Sequence, residues 1–386
     1  MYHVAALREA EFPITQEHLY FNNAGIAPLP QRSQQKMAWA LQGLSHHPAH
    51  FWQQQGMPMA AAFQEELAAH IHAANPQEIV ATSSTSAAIN AVAQAIPWQQ
   101  GDNIAFCEVE FPSNAYPWLS LERDGVAVRQ VKAVDGGLTL AELEKVVDSN
   151  TRLVAASSVQ FFSGHRTDLA AIGQFCHERG ILFAVDAIQS IGHIPIDVQA
   201  MHIDILASGG QKSIMATPGS GFFYVRNEVA EMMRPRMIGA NATHDFLHWL
   251  AYDLTPAQSA QRFQMGTPNL PGMFGLLESL RLIRELGVEH IDQHTTGLTV
   301  TAVAALTELG YEVITPLSDN GPITTFKSGM NQADTDALVN YLNEQHISVV
   351  KHLDAAGNPH IRLSFHCFNT AEEIAQFAAV MRAWRV

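Results

Sequence analysis

Lysine is scarce in this sequence. Six lysines (Lys36, Lys132, Lys145, Lys212, Lys327 and Lys351) stand against sixteen arginines, so few positions can serve any chemistry that needs a primary amine. Cysteine is scarcer still. Cys107, Cys176 and Cys367 are odd in number and far apart, with no CxxC spacing, which excludes a disulfide framework and a thiolate zinc site. Charge is thin, at 15% of residues, and unbalanced: 37 acidic residues against 22 basic give a formal charge of −15. A chain so short of cations is unsuited to nucleic acid or to an anionic membrane, whose phosphates attract basic patches. No run of 18 apolar residues is present to cross a bilayer. The opening MYHVAALREAEFPITQEHLY carries acids and lacks the long apolar centre of a secretion signal. GxGxxG and GxxxxGK[ST] are both missing, which argues against dinucleotide and Walker-type nucleotide sites. These absences lead to the expectation of a cytoplasmic globular protein that binds neither nucleic acid nor membrane.

What is present is apolar substance, 47% of 386 residues, enough for two or three domains by length alone. From about 58 to 226 the pattern alternates. Short apolar runs at Asn103–Cys107, Val126–Val131, Leu153–Val159, Ile181–Val185, Ile203–Ala207 and Phe222–Val225 read as strands buried on both faces. Helical spacing appears at Met59–Ala74, Thr85–Ile96, Thr139–Val147 and Asp168–Glu178. The alternation predicts an α/β fold with a mostly parallel sheet covered by helices. After Pro271 two long helical stretches, Phe274–Leu286 and Val288–Leu309, lead to strand-like Tyr311–Thr315, Ile323–Lys327, Ser348–His352 and Ile361–Ser364. Helices near Thr335–Gln345 and Thr370–Trp384 are interspersed, which makes a smaller C-terminal α/β domain. The expected divisions are 1–20, an N-terminal segment packing with the small domain, 21–270, the large domain, and 271–386, the small one.

The most informative stretch is ILFAVDAIQSIGHIPIDVQAMHIDILASGGQKSIMATPGSGFFYVR, 181–226. An apolar strand ends in Asp186, followed by Gln189. Ligands of open α/β sheets gather outside the carboxyl ends of strands. A second strand runs into SGGQK, and Lys212 follows two glycines. Burial lowers the pKa of a lysine, which an imine-forming amine requires. An acid and a lysine so placed suit pyridoxal 5'-phosphate (PLP): the lysine forms the aldimine and the acid keeps the pyridine nitrogen protonated. Taken singly, Asp186 reads equally well as a strand-end turn and Lys212 as a surface residue. Thr85 and Ser86 in TSSTSAAIN open a helix, where free N–H groups favour a phosphate; an ordinary Ser/Thr cap explains them as well. Ser208 and Gln211 flank the lysine as further donors. His46, His47 and His50 in SHHPAHFW read as a loop, without helical His-x-x-x-His geometry, rather than as a metal site.

Eight blocks in order complete the pattern: YFNNAGIAPLP (20–30), TSSTSAAIN (82–90), EFPSNAYPW (110–118), SSVQFFSGHRTDL (157–169), VDAIQSIGHIPIDV (185–198), SGGQK (208–212), MGTPN (265–269) and RLSFHCFNT (362–370). Together they resemble the class V aminotransferase family of fold-type I PLP enzymes, which includes cysteine desulfurases, kynureninases and isopenicillin-N-epimerase-like proteins. The resemblance implies a large domain with a mostly parallel seven-stranded sheet and a smaller C-terminal domain. It implies that Asp186 meets the pyridine nitrogen, Gln189 the 3'-oxygen, and Thr85 and Ser86 the phosphate, with Gln211 in the slot usually held by a histidine beside the lysine. It further implies that Thr267 reaches the phosphate in a neighbouring subunit, hence a homodimer, and that Arg362 grips a substrate carboxylate. Asn22 and Asn23 would lie near the mouth, and Gln160 would add a cofactor contact.

Two departures bear on the reaction. Phe111 stands where desulfurases carry a histidine; it can stack on a pyridine ring but cannot move a proton. The stretch SVVKHLDAAGNPHIRLS before and through Arg362 lacks the desulfurases' nucleophilic cysteine, and Cys367 reads as buried packing. His165 and Arg166 are placed either to reach a substrate side chain or to serve the structure. The expectation is an aminotransferase-like enzyme acting on a small amino acid through Lys212. The alternatives are a C–S lyase or desulfurase-like enzyme acting on cysteine or selenocysteine, and a PLP-binding protein with a regulatory role.

Overall fold

The computed structural model describes residues 2–245 and 248–384. Its strands are β1 (Leu19–Tyr20), β2 (Ile79–Thr82), β3 (Asn103–Cys107), β4 (Ala127–Val131), β5 (Thr151–Ser157), β6 (Leu182–Asp186), β7 (Ile205–Gly209), β8 (Gly221–Val225), β9 (Ile323–Lys327), β10 (Ile347–Ser348), β11 (Val350–Leu353) and β12 (Pro359–Ser364). Seven of them form one sheet in the order β2-β8-β7-β6-β5-β3-β4. β8 runs against both of its neighbours, whereas β3, β4, β5, β6 and β7 are parallel. Parallel neighbours need crossovers, and these place helices on both faces. The two faces are legible in the strands themselves. Val154, Phe183, Val185 and Leu206 pack with Phe63, Leu67, Phe274 and Leu277 on one side. Leu153, Ala155, Ala184 and Ile205 pack with Ile89, Val92 and Trp118 on the other, the period-two alternation of a strand.

The six apolar runs named from the sequence all lie on strands of this sheet. The seventh strand, β2, is four residues long and too brief to stand out, and the helix Gln31–His46 carries mostly polar side chains and has no strong apolar stripe. The expected helix Thr139–Val147 contracts to Leu140–Leu143. The histidine stretch is not a loop. His46 ends the helix Gln31–His46 with Nδ1 2.8 Å from the Gln42 carbonyl oxygen, and His50 lies on the short helix Pro48–Phe51.

The smaller sheet is antiparallel, β11-β12-β9, and packs on the helices Val288–Glu308, Gln332–Glu344 and Ala371–Trp384 through Leu298, Phe326, Leu338, Leu363 and Phe377. Tyr311–Thr315, expected as a strand, contributes the isolated bridge of Val313 with Phe326, beside which the Tyr311 and Phe326 ring centres lie 4.7 Å apart. The N-terminal segment joins this body: β1 pairs with β10, and Arg8 bonds Glu373 at 2.7 Å. The helix Leu270–Leu286 packs instead on the helix Gln31–His46, with Phe274 5.2 Å from Trp39 and the Ser279 and Ser33 hydroxyls 2.8 Å apart. No helix among the described residues is long and apolar enough to cross a membrane.

Candidate active site

The parallel strands β3, β5, β6 and β7 all deliver their carboxyl ends to one edge of the large sheet, and the face of the small sheet meets that edge. Asp186 is the last residue of β6, buried at 4% exposure, with one carboxylate oxygen accepting the Ile188 N–H at 3.0 Å. Burial raises its pKa to about 6, an effect softened by that hydrogen bond and by the nearby Lys212. β7 ends at Gly209, and the chain reaches Lys212 through a turn too tight for side chains: a Cβ on Gly210 would lie 2.8 Å from the Ser220 carbonyl oxygen. The Lys212 amine is lowered to about 8 by burial; Asp186 opposes the shift and Arg362 adds to it. Its Nζ lies 5.1 Å from the centre of the Phe111 ring, which packs edge-on against Phe161.

Beside this pair stands the start of the helix Thr85–Ala95. Ser84 caps it, accepting the Ala87 N–H at 3.1 Å. The N–H groups of Thr85 and Ser86, at the very start of the helix, lack intrahelical acceptors and suit an anion. The buried Thr85 hydroxyl accepts the Gly209 N–H at 2.8 Å, which ties the helix start to the lysine turn, and the Ser86 hydroxyl meets that of Ser113 at 2.7 Å. Ser208 is buried with its hydroxyl turned to the Gly209 carbonyl oxygen, and the Gln211 carbonyl oxygen accepts the Ala27 N–H. Gln189 donates to the Ala24 carbonyl oxygen at 3.1 Å. Thr267 is exposed, on a cavity of about 410 Å³ shared with Thr82, Ser83, Gly219 and Asn269.

Arg362 comes from β12. It is 3% exposed, one Nη donates to the Phe161 carbonyl oxygen at 2.7 Å, and its Nε has no partner among the described residues. Burial alone lowers it to about 10. A guanidinium buried with no carboxylate to offset it is unfavourable until an anion arrives. Asn22 also carries a buried, unpartnered side-chain oxygen. Asn23 is buried, its amide nitrogen donating to the Ser364 carbonyl oxygen and to Asn369, while its side-chain oxygen has no partner among the described residues. Gln160 lies fully buried, its amide donating to Glu110 at 2.9 Å and its oxygen unpartnered.

These features suit PLP. The site offers an amine of lowered basicity, a buried carboxylate with one oxygen uncommitted to the backbone, a helix start for a phosphate, an aromatic face, and a buried acceptor on Gln160 left unspent. The class V aminotransferase model matches residues 19–377. The chain belongs to that family. It is a PLP-dependent enzyme of the class V aminotransferase and cysteine desulfurase superfamily, and its sheet order and smaller C-terminal α/β domain are those of fold type I. Among class V relatives, a probable cysteine desulfurase of Methanothermobacter thermautotrophicus is 30% identical over 385 residues, covering 94% of each chain. An uncharacterized aminotransferase of Bacillus subtilis is 29% identical and covers 78% of this chain and 77% of its own. The apo structure of a cysteine desulfurase from Thermococcus onnurineus superposes with a TM-score of 0.90 at 27% identity, covering 100% of this chain and 98% of its own.

Within this class V site two residues escaped the sequence reading. Glu110 is buried and accepts from the Ser157 N–H at 2.8 Å, from the Ser157 hydroxyl and from Gln160; burial raises it to about 7. The other is His352, on β11 beside Phe161 and Phe162. Only the block EFPSN hinted at the first, and nothing local marked the second. Arg166 bonds Asp292 at 3.0 Å, strapping the large domain to the helix Val288–Glu308, and His165 is buried. All three cysteines are buried, and burial pushes the Cys107 and Cys176 thiols up to about 12 and that of Cys367 higher still.

Proposed function

We propose that this enzyme is a lyase that cleaves the bond between the β-carbon and sulfur or selenium of cysteine or selenocysteine, without a protein persulfide. The amino-acid substrate rests on one observation: Arg362 is buried beside Lys212, without a carboxylate partner among the described residues. A substrate α-carboxylate would supply the missing anion in the two-pronged geometry that a guanidinium favours. A protein that only bound the cofactor would have no need of such a clamp. The choice of C–S cleavage is supported by the cysteine desulfurases among its relatives, and cysteines too buried to accept sulfur support a route without a protein persulfide.

PLP, when bound, supplies an electron sink that weakens the bonds at the substrate α-carbon. Asp186 would hold the pyridine nitrogen, Gln189 and Gln160 the ring's oxygen side, and Thr85, Ser86, Ser208 and Gln211 the phosphate. Phe111 would cover the ring. Lys212 moves the α-proton at Nζ, because a base of lowered pKa keeps a share of free amine near neutral pH. Thr267 would reach the phosphate of a second copy of the chain. Met237 and Met265, exposed on the cavity that Thr267 lines, favour burial in a homodimer.

A second reading, transamination of a small amino acid, draws on the same lack of an accessible cysteine and on the aminotransferase relative. Product analysis of the PLP-loaded enzyme with cysteine separates the two. Pyruvate, ammonia and sulfide in equal amounts, with the visible absorbance persisting, are expected. One keto acid per subunit, with the absorbance converted to the amine form, would establish the transaminase instead.

A further inference from the structure

The β11–β12 hairpin presents a second group to the site besides Arg362. In its register Val350 pairs with Arg362 and His352 with His360, so Val350, His352, His360 and Arg362 share one face. That face lies on the Phe161–Phe162 segment. Arg362 holds the Phe161 carbonyl oxygen, Thr325 donates to that of Phe162 at 2.5 Å, and the His360 ring packs 5.0 Å from Phe162. Most hydrogen-bonding capacity there is thus spent, the Thr325 hydroxyl on Phe162 and His360 Nδ1 on Asn358 at 3.1 Å. His352 is different. Its Nε2 is buried and has no partner among the described residues, while its ring is fixed edge-on by Phe161 at 5.8 Å and Phe162 at 6.2 Å. A buried imidazole nitrogen left unpaired in a held ring is costly to the fold unless something completes it.

We propose that His352 is the specificity residue of this enzyme, taking a hydrogen bond to the heteroatom on the β-carbon of the amino acid whose carboxylate lies on Arg362. Diagonal neighbours across an antiparallel pair stand roughly 7–8 Å apart at the backbone, and side chains reach inward from there, a span that one small amino acid can bridge. The ring is neutral: burial is the main cause, and the cations Arg362 and Lys212 add to it, holding the pKa at about 4. A neutral imidazole offers one donor and one acceptor, so it can serve a thiol, a hydroxyl or their selenium counterpart, whereas an apolar side chain would leave Nε2 unpaired. The inference rests on the proposed amino-acid chemistry and narrows it to substrates with a polar atom on the β-carbon.

The test compares serine and cysteine with 2-aminobutyrate, which has a methyl group in place of the hydroxyl or thiol. Binding to PLP-loaded wild type, His352→Phe and His352→Gln is read from the change in cofactor absorbance on rapid mixing. Wild type should prefer serine and cysteine over 2-aminobutyrate. His352→Phe should reduce that preference about ten- to hundredfold while binding of 2-aminobutyrate stays level, and His352→Gln, which keeps a donor and an acceptor, should recover most of it. A preference that survives in His352→Phe overturns the role of His352 and leaves the lyase reading standing. Loss of binding for all three amino acids in both variants would mark a structural residue and overturn it as well. Wild type that takes up none of them overturns the amino-acid reading itself, and this inference with it.

Discussion

At the scale of single residues, the site is a set of charges held where water cannot offset them. Asp186 titrates near 6 in the folded chain instead of at its ordinary 3.8, so the folded protein keeps a proton that the unfolded chain has already lost. Its contribution to stability is therefore lost as the pH rises from about 4 through about 6, and at neutral pH the carboxylate works against the fold. Asp186→Asn keeps an acceptor for the Ile188 N–H and removes the charge. The cofactor-free variant should be more stable than wild type at pH 7 by about 1–3 kcal/mol, with turnover lost. Denaturant melts at pH 5 and pH 7 check this; a variant no more stable at pH 7 would show that the carboxylate is not a burden. For Lys212→Ala we expect the visible absorbance of lysine-bound PLP to vanish while the far-ultraviolet circular dichroism is unchanged. An unaltered visible spectrum would place the cofactor lysine elsewhere, and only five others exist.

At the scale of elements, what positions Lys212 is backbone against backbone. A Cβ on Gly192, in the turn after β6, would lie 1.7 Å from the Ser213 carbonyl oxygen, one residue past the lysine. Gly192→Ala must push that segment, and overpacking of this kind costs about 1–3 kcal/mol. Gly173 provides the comparison, since its Cβ would meet the Met201 carbonyl oxygen at 1.8 Å, away from the lysine turn. Both alanine variants should melt lower. Only Gly192→Ala should also weaken PLP binding, by tenfold or more in a fluorescence titration; equal PLP affinity in the two would refute the coupling. The elements that the sequence hid are those whose signal is not local periodicity. β2 is short, and the helix Gln31–His46 is recognised only by what it packs against.

At the scale of the whole molecule, the exposed Met237 and Met265 line the same cavity as Thr267, and a chain with so few charged residues gains by covering them. Met265→Glu should shift the protein toward monomer in analytical ultracentrifugation and lower PLP affinity together, because the proposed phosphate contact crosses between copies. A monomer that retains full PLP affinity would show that Thr267 acts within its own subunit or not at all. At the same scale we propose a later division than the expected 270/271. The helix Leu270–Leu286 buries Met273, Phe274 and Leu277 in the large domain's core, so we place the passage between domains near Gly287, whose φ is +81°.

By itself the sequence determined the parts that local chemistry dictates. Apolar runs of strand length, an aspartate ending one of them and a lysine after two glycines follow from period and punctuation, and so does the scarcity of lysine that singles out Lys212. Only the tertiary structure decided which distant groups share one low-dielectric space. Glu110 meets Gln160 across 50 positions and Arg362 meets Phe161 across 201. The sheet register turned His352 onto the same face as Arg362. The physical reason is that burial, unpaired polar atoms and shifted pKa values are properties of surroundings, and the surroundings of these residues are assembled from strands far apart along the chain.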